Sequence, residues 1–263
     1  MIDAHTHLND PRLLPEIDPL LARMLHAGVT GALVVGYDLA SSRTAVDLAA
    51  RYPQYLRAAI GVHPHDSKDV DQETLTALRA LAQQPGVVAY GEIGLDFYYD
   101  HSPRDVQRDA FGRQLALAVE LELPIIIHER EAVDEVMAVL DAEGGWALGG
   151  AWHCCSVAPQ LAVQIAQSFY VGIAGWITFA KGDNIRALAQ AVPLARLLLE
   201  TDAPYITPVP YRGKPNEPSY VRLTAQALAN VKGISLADVE EMTMANTRQA
   251  FPRWGDTEPR GRA

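Results

Sequence analysis

His5 and His7 stand one residue apart near the start of the chain, in MIDAHTHLND, and that spacing restricts where they can act together. On a helix, residues two apart point away from each other. On a strand they share a face about 6.5–7 Å apart, within reach of one ion. The pair makes chemical sense on a strand or at its end. Other residues of metal-ligating type fall at the ends of short apolar runs: His63 and His65 in GVHPH, Glu92 in GEIGLD, His128 in PIIIHER, His153 in GGAWHCCS and Asp202 in ETDAP. Of the 8 histidines, His26 closes a predicted helix and His101 lies in a loop, and these two are read as ordinary packed or surface residues.

Imidazoles from His5, His7, His128 and His153, with carboxylates from Glu92 and Asp202, exceed the needs of one tetrahedral structural ion. Two ions divide the donors naturally. His5, His7 and Asp202 would hold the first, His128 and His153 the second, and Glu92 would bridge with one oxygen to each. A pair of divalent ions about 3.5–4 Å apart can share a water or hydroxide and clamp both oxygens of an in-line displacement at phosphorus. The expected chemistry is therefore hydrolysis. Two such ions bring about +4 against −2 from their carboxylates, so the site would attract a phosphodiester even in an acidic protein.

Residues so distant in sequence meet only if the elements between them bring them together. Eight apolar runs read as strands: the opening segment, TGALVVGYD, LRAAIGVHPH, VVAYGEIGLD, PIIIHER, GGAWHCCS, YVGIAG and RLLLETDAP. They are nearly continuous in apolar character, as strands are when helices cover both faces. Segments between them suit helices. Residues 14–27 carry Leu14, Ile17, Leu21 and Leu25 at helical spacing before Gly28. Ser102 and Pro103 are expected to cap and open a helix whose inward stripe is Val106, Ala110, Phe111, Leu115, Ala118 and Val119. Another is expected over 218–231, and Ser235 with Asp238 should open a last one. Eight strand–helix units in about 250 residues predict a single-domain TIM (β/α)8 barrel over residues 1–251, and a polar, loosely held tail over 252–263. In that fold the C-terminal strand ends converge on one mouth, and the titratable residues named above lie at those ends. A doubly wound sheet would want a Gly-rich phosphate loop after the first strand, which this sequence lacks.

Composition sets wider bounds. With 49% apolar and 21% charged residues among 263, the chain has the make-up of a globular protein. A formal charge of −10 argues against broad attraction to phosphate backbones away from a site. The 2 cysteines, Cys154 and Cys155, are adjacent and too close for the usual disulfide span, so two free thiols and a reducing, cytoplasmic setting are expected. No window approaches a membrane span, and no basic-then-apolar leader opens the chain. A monomer is expected.

HTHL, GVHPH, GEIGLDFYYD, LPIIIHER, WHCCS, LLLETDAPYITP and RGKPNEP together resemble the TatD family of metal-dependent nucleases among the amidohydrolase-like barrels, from Ile2 to about Phe251. HxH alone is shared by many barrel hydrolases, whereas GEIGLD with ETDAPY and RGKPNEP is specific. The resemblance implies metal ligation by His5, His7, Glu92, His128, His153 and Asp202, the same residues the strand ends select. For the two expected divalent ions, imidazole suits Zn, Mn or Fe and carboxylate suits Mg, and the resemblance implies that Mg can support activity, with cleavage of DNA as a 3′–5′ exonuclease on single strands, extending to RNA or abasic sites. It further implies that His63 and Arg130 meet substrate phosphate. Arg212 and Lys214 of RGKPNEP are placed to touch backbone phosphate, and Tyr98 and Tyr99 either stack a base or pack inward. Asp202 would ligate and also take the proton of the nucleophile, Glu92 would act beside it, and Glu200 would steady a ligand from behind. In one respect the chain departs from the family, with Cys155 where an aromatic is usual. Two rival readings stand beside the nuclease: a metal-dependent amidohydrolase or deacylase acting on a small molecule or aminoacyl-tRNA, and a non-catalytic phosphate-binding module. Barrel amidases often bridge their ions with a modified lysine on strand four, where this chain has Glu92.

Overall fold

The structure, a computed structural model, describes residues 1–255. Each apolar run forms a strand: β1 (Ile2–Thr6), β2 (Gly31–Val35), β3 (Leu56–Ile60), β4 (Val87–Asp96), β5 (Ile125–Arg130), β6 (Gly150–Trp152), β7 (Tyr170–Ile173) and β8 (Leu197–Leu199). All but the outer end of β5 are buried along their length. The strands follow one another in sequence order within one parallel sheet, with helices between them, as expected of the (β/α)8 barrel class. The helices are α1 (Ile17–His26), α2 (Leu39–Arg51), α3 (Gln72–Leu81), α4 (Arg104–Glu120), α5 (Val133–Glu143), α6 (Pro159–Ile165), α7 (Asp183–Ala191), α8 (Val221–Lys232) and α9 (Leu236–Ala250).

Two compact units divide these elements. The first, residues 1–34 and 153–250, holds β7, β8, β1 and β2 up to Val34. Val171 pairs with Leu197 and Ile2 with Gly31, and the chain beyond β8 continues beside β1 through Asp202 N–H to His5 O (2.9 Å) and His7 N–H to Ala203 O (2.8 Å). The buried Asp3 carboxylate fixes this junction. It accepts from the Thr201 N–H (2.9 Å) and the Thr201 hydroxyl (2.6 Å), and burial pushes its pKa up to about 8.

The second unit, residues 35–152 with the segment from Phe251, holds β3 to β6 in parallel register. Here α4 does more than cover the sheet. Its buried Gln107 accepts from Asp96 N–H (2.8 Å) and donates to Asp96 O (3.0 Å). Gln114, seven residues on and therefore on the same helical face, clamps Val62 in the same way (2.8 and 2.9 Å). These two amides satisfy backbone groups where β4 and β3 stop pairing, and so fix the chain next to His63 and Asp96.

The structure corrects several details. The helix expected over 14–27 starts as a 3-10 turn at Leu14–Glu16, and Leu25 faces solvent. Pro103 occupies the cap position instead of N1, with extended ψ (142°), and the Ser102 hydroxyl donates to His65 O (2.7 Å) instead of capping α4. Val119 is exposed, outside the inward stripe. The 218–231 helix likewise opens with a 3-10 turn at Pro218–Tyr220 before α8. Ser235 and Asp238 do cap α9 reciprocally. The start of the polar tail is not loose. Pro252–Gly255 form a 3-10 turn whose Trp254 carbonyl accepts from Arg57 Nε (2.6 Å). The remainder of that tail lies outside the described residues.

Candidate active site

In the first unit the end of β1, the residues after β6 and the residues after β8 bring His5, His7, His153 and Asp202 together. The Nε2 atoms of His7, His153 and His5 lie 3.3, 3.6 and 3.8 Å from Asp202 Oδ1. The rings of His5 and His153 stack at 3.5 Å. Asp202 sits in the left-handed region (φ 56°), which turns its carboxylate toward the imidazoles. Burial raises the pKa of Asp202, but His153, His7 and His5 outweigh it and hold the group below the usual value. Behind His153, Nδ1 faces Glu200 Oε2 at 3.2 Å, and the other Glu200 oxygen accepts from Cys154 N–H (2.6 Å). Gly172 makes room for that carboxylate, since a Cβ there would fall 2.5 Å from its oxygens.

The second unit repeats the design. His128 on β5 places Nδ1 2.7 Å from Glu92 Oε1 of β4 and 3.1 Å from His63 Nε2. On its far side Nε2 is 3.3 Å from Asp96 Oδ2, which also accepts from His65 Nε2 at 2.9 Å. The other Asp96 oxygen accepts from the N–H groups of Tyr98 and Tyr99. Burial works against ionisation of both Asp96 and His128. Even so, hydrogen bonds from His128 and His65 hold Asp96 far below the carboxylate range, and contacts to Asp96 and Glu92 push His128 up to about 9. His63 is kept neutral chiefly by desolvation and then by the neighbouring His128.

Each of these two histidines thus lies between an outer and an inner carboxylate, Glu200–His153–Asp202 and Asp96–His128–Glu92, with Asp96 hydrogen-bonded to His128 and Glu200 at ion-pair distance from His153. An imidazole held this way has a fixed ring and a fixed tautomer, as in metal sites where a carboxylate supports a ligating histidine. His5, His153 and Asp202, and separately His63, Glu92 and His128, offer donor atoms close enough together to hold an ion. Five of the six expected ligands lie in these two groups and the sixth, His7, stands 3.3 Å from Asp202 Oδ1, while His63, expected at substrate phosphate, lies within ligating reach of His128 and Glu92.

The other expected substrate residues lie outside the clusters. Arg130, at the end of β5, covers the rings of Tyr98 (4.4 Å) and Tyr99 (4.9 Å) and makes no ion pair among the described residues. Tyr98 and Tyr99 are 54% and 49% exposed, so neither packs inward. Arg212 lies over Phe179 at 3.9 Å. His26 and His101 are exposed, as expected. Sequence reasoning overlooked Asp96. The signal was its position four residues after Glu92 on one strand, which gives both the same face. It also overlooked Gln107 and Gln114, whose seven-residue spacing marks one face of a helix.

Paired carboxylate-supported imidazoles at the strand ends of a (β/α)8 barrel define a metal-dependent hydrolase acting on ester bonds. The chain belongs to the family of TatD-related DNases, whose model matches residues 2–252. It is 36% identical to an uncharacterized metal-dependent hydrolase, YabD, of Bacillus subtilis, over 95% of this chain and 98% of that one. It is 35% identical to the 3′-5′ ssDNA/RNA exonuclease TatD of Erwinia tasmaniensis, over 95% and 99%. Among solved structures, the TatD homologue YJJV from Escherichia coli superposes with a TM-score of 0.90 at 29% identity, over 96% of this chain and 98% of that one.

Proposed function

We propose that the chain hydrolyses phosphodiester bonds of single-stranded DNA, and of RNA, from the 3′ end, in the cytoplasm, with two divalent ions held by the ligands expected from the sequence. The observation that carries this reading is the doubled carboxylate–imidazole–carboxylate arrangement. A histidine kept only for packing has no need of a second buried acid to set its tautomer. In this donor set the imidazole nitrogens suit Zn or Mn, and the carboxylate oxygens suit Mg or Mn.

His5, His7 and Asp202 would hold one ion, His128 and His153 the other, and Glu92 would be shared. When bound, such ions lower the pKa of a water to near neutrality and offset charge on the phosphate. The side chains do the rest. Asp202, held ionised by three imidazoles, is available to accept the proton released by the attacking water. Glu92 keeps its oxygen against His128 Nδ1 and so fixes that ring. Neutral His63 offers a hydrogen bond without adding charge, and Arg130 and Arg212 present forked donors to phosphate oxygens. The name of the Erwinia relative supports the choice of single-stranded DNA and RNA.

The test is to strip the protein of metal, reload it with each ion, and supply end-labelled single-stranded DNA beside a panel of esters and amides. Shortening from the 3′ end with at least one ion is expected. Turnover of an amide with no cleavage of DNA under any ion would establish the amidohydrolase reading instead.

A further inference from the structure

Beside the first cluster, and wholly within the first unit, lies a pocket of about 550 Å³, within the range of small-molecule sites. Its walls carry Arg12, Trp176, Phe179, Arg212 and Lys214, and no carboxylate lines it among the described residues. In a chain of net charge −10 such a lining is a local reversal of sign. Arg12 is partly neutralised by a two-pronged contact with Asp10 (2.8 and 2.7 Å), whereas neither Arg212 nor Lys214 enters an ion pair among the described residues.

Both walls are held in place. Arg186 of α7 donates to the carbonyls of Ile177 (3.0 Å) and Phe179 (2.7 Å), which fixes the turn bearing Trp176 and Phe179. Gly175 lets this turn approach the chain after β8, since a Cβ there would lie 2.2 Å from Ile206 O. Opposite, the buried Asn216 amide donates to Thr201 O (2.8 Å) and Tyr205 O (2.7 Å), and the Thr207 hydroxyl donates to Lys214 O (2.6 Å). The pocket borders the metal-ligand cluster through Tyr205, which lies under Arg12 (4.6 Å) and edge-on to His7 (6.2 Å between ring centres).

We propose that this pocket is a nucleotide subsite. It would take one nucleoside phosphate of a single strand, with the phosphate on Arg212 and Lys214 and the base against Trp176 and the Arg212–Phe179 wall. Aromatic rings and guanidinium planes stack any base, and free cations without an opposing acid select an anion. A base must be unpaired to enter, so the pocket supplies a physical cause for single-strand preference. The assignment rests on the nuclease reading and adds to it the place where a flanking nucleotide is gripped.

The experiment uses the full chain in chelator, so that metal chemistry plays no part. Isothermal calorimetry compares thymidine 5′-monophosphate with deoxyribose 5-phosphate on the wild type, Arg212→Gln and Phe179→Leu, each variant matched to the wild type in melting temperature. Wild-type binding of the nucleotide is expected, about tenfold weaker without the base and about tenfold weaker in either variant. Quenching of tryptophan fluorescence by the nucleotide should be lost in Trp176→Phe. No binding by the wild type, or equal binding of both ligands by all variants, would overturn the subsite. Should DNA cleavage fail with every ion while nucleotide binding follows this pattern, the subsite stands and the nuclease reading alone falls.

Discussion

Asp96 and Glu200 stand outside the inner donor clusters, beside His128 Nε2 and His153 Nδ1, where a carboxylate favours one tautomer of the ring. Replacing Asp96 by Asn keeps the shape but removes the charge that holds His128 Nε2, so Mn affinity should drop about 10–100-fold with an unchanged circular dichroism spectrum. Calorimetric titration of the variant with Mn checks this, and undiminished affinity would remove Asp96 from the positioning role. A pH effect follows from His128, whose folded pKa is raised from 6.5 to about 9 by Asp96 and Glu92 against the opposing effect of burial. A base raised in the fold gives stability that is complete below its unfolded pKa and is lost as pH rises through the folded one. Metal-free protein should therefore lose melting temperature between pH 6.5 and 9, and added divalent ion, replacing the proton, should flatten that slope. At this scale the residues that meet in the clusters were readable because their types are chemically committed. Asp96 was harder to see because an acid closing a strand is also common without a partner.

Among the elements, the strands were legible because buried parallel strands are nearly continuous apolar runs, and each of the eight formed where one stood. Helix openings were less legible. Pro15, Pro103 and Pro218 each displaced an expected start, because the backbone beside a proline answers to neighbours that sequence does not reveal, such as Gln107 claiming Ser102 O (2.8 Å). The two glutamines of α4 make a prediction at this scale. Gln114→Ala leaves the Val62 amide and carbonyl without their side-chain partner and should cost about 1–3 kcal/mol in chemical denaturation. Activity should fall with it, since Val62 adjoins His63. In the first unit, Gly172→Ala drives a methyl into the Glu200 carboxylate and should cost about 1–3 kcal/mol. It should weaken metal binding as well, because Glu200 steadies His153. A change in stability with metal affinity intact would separate the two roles.

For the molecule as a whole, a −10 chain that takes a polyanion must confine its attraction to a few positions. If Arg130, Arg212 and Lys214 are the phosphate contacts, the logarithm of single-strand affinity should fall against the logarithm of salt with a slope of about −2. A slope several times steeper would mean an extended basic track. Barrel class and the residues that gather in each cluster were legible in the sequence because both depend on residue type and spacing. The pocket around Arg212 was not, because it depends on how the turns after β7 and β8 fold against each other. The most direct test of the central claim is to measure bound Mn per chain and 3′-end shortening of single-stranded DNA on the same samples as metal is added back. Cleavage rising only as the second ion per chain is bound, and absent in Asp202→Asn, is the expected result. Full cleavage at one ion per chain, or an Asp202→Asn protein that cleaves at the wild-type rate, would contradict the account.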